Sequence, residues 1–139
     1  MRRLWHNQAG ASAVEFAMLI APFLLLLFGV IEISRALWTR QAAQDIATAA
    51  ARCIGVMQTE CTTNGVFDLT KTELFVGAAA TGRAVRLDDE ATQFRTGVEC
   101  DGLPGAVEAQ LQAHFDSVFP FEDVLDFTVK ACFVDWSAL

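Results

Sequence analysis

FAMLIAPFLLLLFGVI, residues Phe16 to Ile31, is the stretch on which the fold of this chain turns. It holds sixteen residues without a charge and is bracketed by Glu15 and Glu32. A bilayer core takes about 20 apolar residues as a helix. Ile33, Ala36, Leu37 and Trp38 extend the far side, interrupted by Ser34 and Arg35. Arg35 can snorkel to the headgroups and Trp38 suits the interface. The expected membrane segment therefore covers about residues 16–38. Pro22 lies inside it, removes one backbone hydrogen bond and is expected to kink the helix. Neighbouring helices make such a kink tolerable in lipid.

The helical pattern does not stop at the membrane. From Ile31 to Ile54 there is no glycine or proline, and Leu37, Ala43, Ile46, Ala47, Ala50 and Ile54 recur at three- and four-residue spacings. Alanine, the best helix former, is abundant there. Gly55 stands where a C-terminal stop is expected. A helix from Ala11 to Ile54 would be about 66 Å long, its first half in lipid and its second half carrying a soluble domain. Gly29 and the alanine-rich face suit close approach of other helices.

Composition narrows the function classes. With 139 residues the chain has room for one compact domain at most. Its formal charge is −7 and its few basic residues form no run, so nucleic acid is a poor partner. Cys53, Cys61, Cys100 and Cys132 all follow the apolar segment, and none forms a CxxC pair. With only His6 and His114 beside them, zinc is disfavoured. Disulfides in an oxidising compartment are the better reading. Of the three possible pairings, Cys53–Cys61 and Cys100–Cys132 are favoured. Closing those loops contributes roughly 2.6 and 3.7 kcal/mol in the chain-entropy treatment. One difficulty is that Cys132 falls on the less apolar face of its strand.

Residues 56–139 read as an α+β head. Thr70 with Glu73 forms a capping box, predicting a helix over about 71–81 that Gly82 ends. Asp88, Asp89 and Glu90 mark a solvated turn. Gln93 to Cys100 alternates, with Phe94, Thr96, Val98 and Cys100 on one face of a strand. Pro104 is expected to open a second helix whose apolar side carries Val107, Leu111, Phe115 and Val118. Phe127, Val129, Ala131 and Phe133 alternate as a last strand. His114 reads as a single surface histidine on that second helix, and Glu122, Asp123 and Asp126 as a solvated helix or turn. No catalytic constellation, metal site or cofactor motif emerges.

The N-terminus carries the most specific signal. MRRLWHNQAG is followed by ASAVEF, so Glu15 stands five residues after Gly10 and directly before Phe16 and the apolar run. A removable secretory signal cut after Ala36 is a rival, since Ser34-Arg35-Ala36 has small residues at suitable spacing. Glu15 and Glu32 flanking the apolar run, and a helical pattern continuing through the supposed cut, argue against it. Basic residues do not settle orientation: Arg2 and Arg3 precede the span, while Arg35, Arg40 and Arg52 follow it.

The stretch Gly10 to Arg52 resembles the TadE-like family of tight-adherence pilus systems. The matching features are AVEF, the proline six residues after Phe16, GVIEISRAL around Glu32 and Arg35, and RQAAQDIATAAAR. The resemblance implies a prepilin leader over residues 1–10, removed by a prepilin peptidase between Gly10 and Ala11. It also implies a stem over residues 11–55 and a head beyond. Cleavage would create an α-amine on Ala11, one helical turn from Glu15, where the two charges neutralise each other. The implied protein is not an enzyme. It would be a minor pilin or pseudopilin of the bacterial inner membrane, N-terminus cytoplasmic and head outside. Its partners would be lipid, the prepilin peptidase, other pilin-like subunits and the platform of the pilus machine. The rival functional reading is an uncleaved, membrane-anchored periplasmic binding or scaffold module.

Overall fold

The computed structural model describes residues 9–118 and 126–136, with side chains from Ser12 onward. Helix α1 runs from Ala9 to Gly55 and passes Pro22 without interruption. After it come strand β1 (Thr62–Thr63), strand β2 (Val66–Phe67), helix α2 (Leu69–Gly82) and strand β3 (Arg86–Leu87). Strands β4 (Gln93–Cys100), β5 (Leu103–His114) and β6 (Phe127–Val134) complete the order. The fold is thus α+β, with a long N-terminal helix and a small, twice-bridged head. Two compact units divide inside α1: one reaches Arg35, the other starts at Ala36.

Within the second unit, residues 36–55 of α1 are part of the core. Ala43, Ile46, Ala47, Ala50, Ala51 and Cys53 are fully buried, in one cluster with Val107, Ala109, Leu111 and Ala113 of β5. Alanines on the helix and on the strand bring the two backbones close. β5 is the central strand: β6 pairs antiparallel along one edge, and β4 and β3 share the other. Gln44 of α1 donates a hydrogen bond to the Lys130 carbonyl of β6 (2.9 Å).

Gly55 does mark the end of α1, as expected, and it serves a second purpose. It is the last residue of α1, and a Cβ there would lie 2.6 Å from both Phe133 Cδ1 and the Val134 carbonyl oxygen. The stop itself is made two residues later. Met57 takes φ 56°, its N–H bonds to the Ile54 carbonyl, and Gln58 N–H bonds to the Cys53 carbonyl. That is the paired bonding of a Schellman cap, formed without glycine at the left-handed position.

Helix α2 appears where expected, but its cap differs. Asp68, not Thr70, is the N-cap: its carboxylate accepts from the Lys71 backbone N–H (3.2 Å) and from the Thr63 hydroxyl (2.7 Å). The Thr63 bond and the Lys71 N–H hold the Asp68 carboxyl below its ordinary value.

The helix expected after Pro104 does not exist; that segment is β5. Val107, Ala109, Leu111, Ala113 and Phe115 are buried, while Glu108, Gln110, Gln112 and His114 between them are not. The period is therefore two, and the i, i+4 spacing of Val107, Leu111 and Phe115 is a multiple of it. Asp101 and Gly102 (φ 49° and 82°) form a two-residue turn that pairs Cys100 with Leu103. Such a primed turn enforces a hairpin. Pro104 and Gly105 fill a gap in the register of β5, and Thr96 and Gly97 a gap in β4. Both glycines take positive φ, the geometry of bulges that bend a hairpin.

Cys53 is bonded to Cys61, and Cys100 to Cys132, the two pairs favoured on the sequence. The first ties the last turn of α1 to β1. The second links two strands that each pair with β5 and not with each other, across a Cα–Cα distance of 5.8 Å. Cys132 does lie on the less buried face of β6, and the bulged hairpin end brings Cys100 to it.

Candidate functional site

Of the sequence features, the first part of α1 is the one that packing within the chain does not explain. Gly10 and Ala11 are helical in backbone, as are Glu15 and Phe16. From Val14 to Ile33 nearly every large apolar side chain points outward. Phe16 is 65% exposed, Met18 72% and Leu26 71%, and Phe23, Leu24, Leu25, Leu27, Phe28, Val30 and Ile31 are exposed as well. So continuous an apolar surface marks a site that lipid or another protein covers. α1 is long and apolar enough to cross a membrane once.

Pro22 sits within this surface, and its missing N–H leaves one carbonyl a turn earlier without a helical partner. At Gly29 an added Cβ would meet no atom within 4 Å, so the helix surface is open there. At the far end, Arg35 Nη1 donates to Glu32 Oε2 at 3.0 Å across one turn. Glu32 is 12% exposed in its side chain and Arg35 49%. Ser34 donates its hydroxyl to the Val30 carbonyl (2.7 Å), so this polar side chain bonds within the helix. Glu15 is exposed, and among the described residues it has no ion-pair partner.

The head supplies other groupings, each with a local explanation. Asp88 of the acidic turn accepts from the Glu90 and Ala91 backbone N–H groups, and Thr92 donates to its carbonyl. Its carboxylate thus closes a turn. His114 is not a solitary histidine on a helix: it lies near the end of β5, with Nδ1 2.7 Å from Asp126 and Nε2 3.6 Å from Asp116. Arg86 of β3 also reaches Asp116 (3.0 Å), so the cluster fastens β3 and the start of β6 to β5. His6, Glu122 and Asp123 lie outside the described residues. Cys100, Asp101 and Cys132 come together closely enough for a metal, but both sulfurs are spent in the bridge and offer no thiolate. An open groove of about 720 Å³ runs beside α2, with Leu74, Val76 and Leu87 along it and Glu73 and Asp89 at its polar positions.

Sequence reasoning missed the environment of His114, because a helix was placed where β5 runs. The alternation around it was the available signal. Gly10, Ala11, Glu15 and Phe16 all lie on the first turns of one helix, α1.

No curated protein and no solved structure matches the chain. Residues 10–52, most of α1, match a family model described as TadE-like protein.

Proposed function

We propose that the chain is a pilin-like membrane protein that takes part in the assembly of tight-adherence (Flp-type) pili. The observation that carries this reading is a TadE-like match lying on a helix whose apolar half is exposed among the described residues. In this reading α1 crosses the bacterial inner membrane once, with Gly10 on the cytoplasmic side and the disulfide-bonded head outside. Both bridges favour an oxidising compartment for the head.

The prepilin peptidase cuts between Gly10 and Ala11. The new α-amine lies one turn before Glu15, and each charge offsets the other at the membrane boundary, where a lone carboxylate is costly. The exposed residues from Phe16 to Ile31 then face lipid, or the stems of other pilin-like subunits once these associate. Pro22 and Gly29 shape that surface, Gly29 by leaving room for a close neighbour. The inner-membrane platform of the machine is the remaining partner. The role is structural, not enzymatic.

Intact-mass and N-terminal analysis of the chain from its native host tests this. The proposal expects a mature terminus at Ala11, and retention of the leader in a Gly10→Leu variant. A terminus at Met1 or Arg2 supports the uncleaved anchor instead, and one at Leu37 supports a released protein.

A further inference from the structure

We propose that the Glu32–Arg35 ion pair sits inside the lipid and sets the depth of the span. The proposal rests on the membrane reading above and adds where the span ends. The uncharged run from Phe16 to Ile31 is about 24 Å long as a helix, against a hydrocarbon core of about 30 Å. Roughly four more residues must come from one end or the other, since tilting only shortens the reach.

The two ends differ in how their charges are held. Glu15 is exposed, has no ion-pair partner among the described residues, and in the reading above meets only the terminal α-amine one turn nearer the water, which anchors that end at the surface. At the other end Glu32 accepts from Arg35 at 3.0 Å, and its side chain is already largely withdrawn from water. Ser34 between them is bonded to the Val30 carbonyl. Glu32, Ser34 and Arg35 thus each have a partner on the helix, and the pair carries no net charge. Paired charges enter hydrocarbon far more readily than single ones. Past the pair come Leu37 and Trp38, both exposed and apolar, with Arg40 after them. Trp38 then marks the interface and Arg40 the aqueous side. The structure assigns the missing length to the Glu32 end, and the ion pair is the device that makes this end compatible with lipid.

The test uses the full chain in proteoliposomes, with single cysteines introduced at exposed positions of α1. The four native cysteines are bridged and silent to maleimides. A membrane-impermeant maleimide is applied, and each rate is compared with that of Asp45→Cys. The expected result is protection of Leu25→Cys, Ile33→Cys and Ser34→Cys by about tenfold or more, with Gln41→Cys as reactive as Asp45→Cys. In an Arg35→Gln background Glu32 loses its counter-charge and is drawn to water. Ser34→Cys then gains about fivefold or more in rate, while Leu25→Cys stays protected. The double variant Glu32→Gln, Arg35→Gln regains the parental pattern, because the net charge is again zero. Ile33→Cys or Ser34→Cys as reactive as Asp45→Cys in the parent chain would overturn the proposal, as would an Arg35→Gln profile that does not move. If Leu25→Cys is reactive too, it is the membrane reading itself that falls.

Discussion

Gly55 and Gly77 are both helical glycines in the head, and the same substitution should move stability in opposite directions at the two. At Gly55 a Cβ would lie 2.6 Å from Phe133 Cδ1 and from the Val134 carbonyl oxygen. Carbon contacts are comfortable at about 3.5–4.0 Å, so α1 and β6 would have to part by roughly 1 Å, in an interior without slack. Forced overpacking costs about 1–3 kcal/mol, while replacing a helical glycine by alanine returns up to about 1 kcal/mol, less at a helix end. The net expectation for Gly55→Ala is a loss of about 1–2 kcal/mol. At Gly77, inside α2, a Cβ meets nothing within 4 Å. Gly77→Ala should therefore gain about 0.5–1 kcal/mol. One kcal/mol is worth about 4–8 °C in a domain of this size. Thermal melts of the full chain in detergent, followed by near-UV circular dichroism, should show Gly55→Ala lower by about 5–10 °C and Gly77→Ala higher by about 2–5 °C. If Gly55→Ala melts with or above the parent, α1 does not approach β6 as closely as described, and the reasoning fails.

Four further outcomes follow from the head. Removing the bridges as Cys-to-Ala pairs should destabilise by about 2.6 kcal/mol for Cys53–Cys61 and about 3.7 kcal/mol for Cys100–Cys132 by loop closure; urea melts would rank them. In mild reductant Cys132 should be alkylated before Cys53 and Cys61, which are fully buried where Cys132 is not, and mass mapping reads the order. Asp68 has a carboxyl held below its ordinary 3.8, first by the Thr63 hydroxyl and then by the Lys71 N–H. It therefore contributes stability that is present above the unfolded-state value and is lost as pH falls through the lower folded one. Acid titration of Asp68→Asn should show a shallower loss of stability below about pH 4 than the parent; parallel curves would dismiss the cap as the cause. Leu111→Ala, at a fully buried site on β5, should cost about 2–5 kcal/mol in the same melts.

How far the sequence revealed this molecule depended on how local the deciding physics was. The apolar run, α2, β4 and β6 were all legible, because each is written in residues adjacent to one another. β5 was not, although its signals were present. Asp101-Gly102 between two alternating runs is a hairpin instruction, and so is Asn64-Gly65, where φ is 53° and 76° between β1 and β2. Pro104 was read as opening a helix because proline favours a first turn. In the structure it falls where the ladder is interrupted, the one place in a central strand where a missing N–H is harmless. Val107, Leu111 and Phe115 suited a helix face as well as a strand face, and Ala109 and Ala113 between them lie in the cluster with the alanines of α1. Gly55 does mark the end of α1 as read, but its close neighbour Phe133 lies 78 positions along the chain, and no local pattern announces it. The N-terminal motif was legible because its spacings are those of a single helix.

The side chains of α1 explain how one helix can meet two different surroundings without a break. Before Arg35 the helix carries Phe, Leu, Met, Ile and Val, and hardly any of them is buried. After it most buried positions are alanines, Ala36, Ala42, Ala43, Ala47, Ala50 and Ala51, joined by Cys53 and Gly55, with Ile46 and Ile54 the large exceptions. Bulky side chains would hold a sheet some 10 Å from the helix axis, whereas alanines let β5 come nearer, and its Ala109 and Ala113 answer them. Small residues thus serve where the partner is the chain's own sheet, and large apolar ones where the surface is exposed, which suits the lipid or neighbouring stems of the proposed reading. A helix built the other way round, alanine first, would lose affinity for lipid at about 25 cal/mol for each Å² of apolar surface removed. Large residues in the second half would overpack the core at every turn. The change of side-chain size near Arg35 is therefore what makes the helix part stem and part core, and it coincides with the boundary between the two compact units.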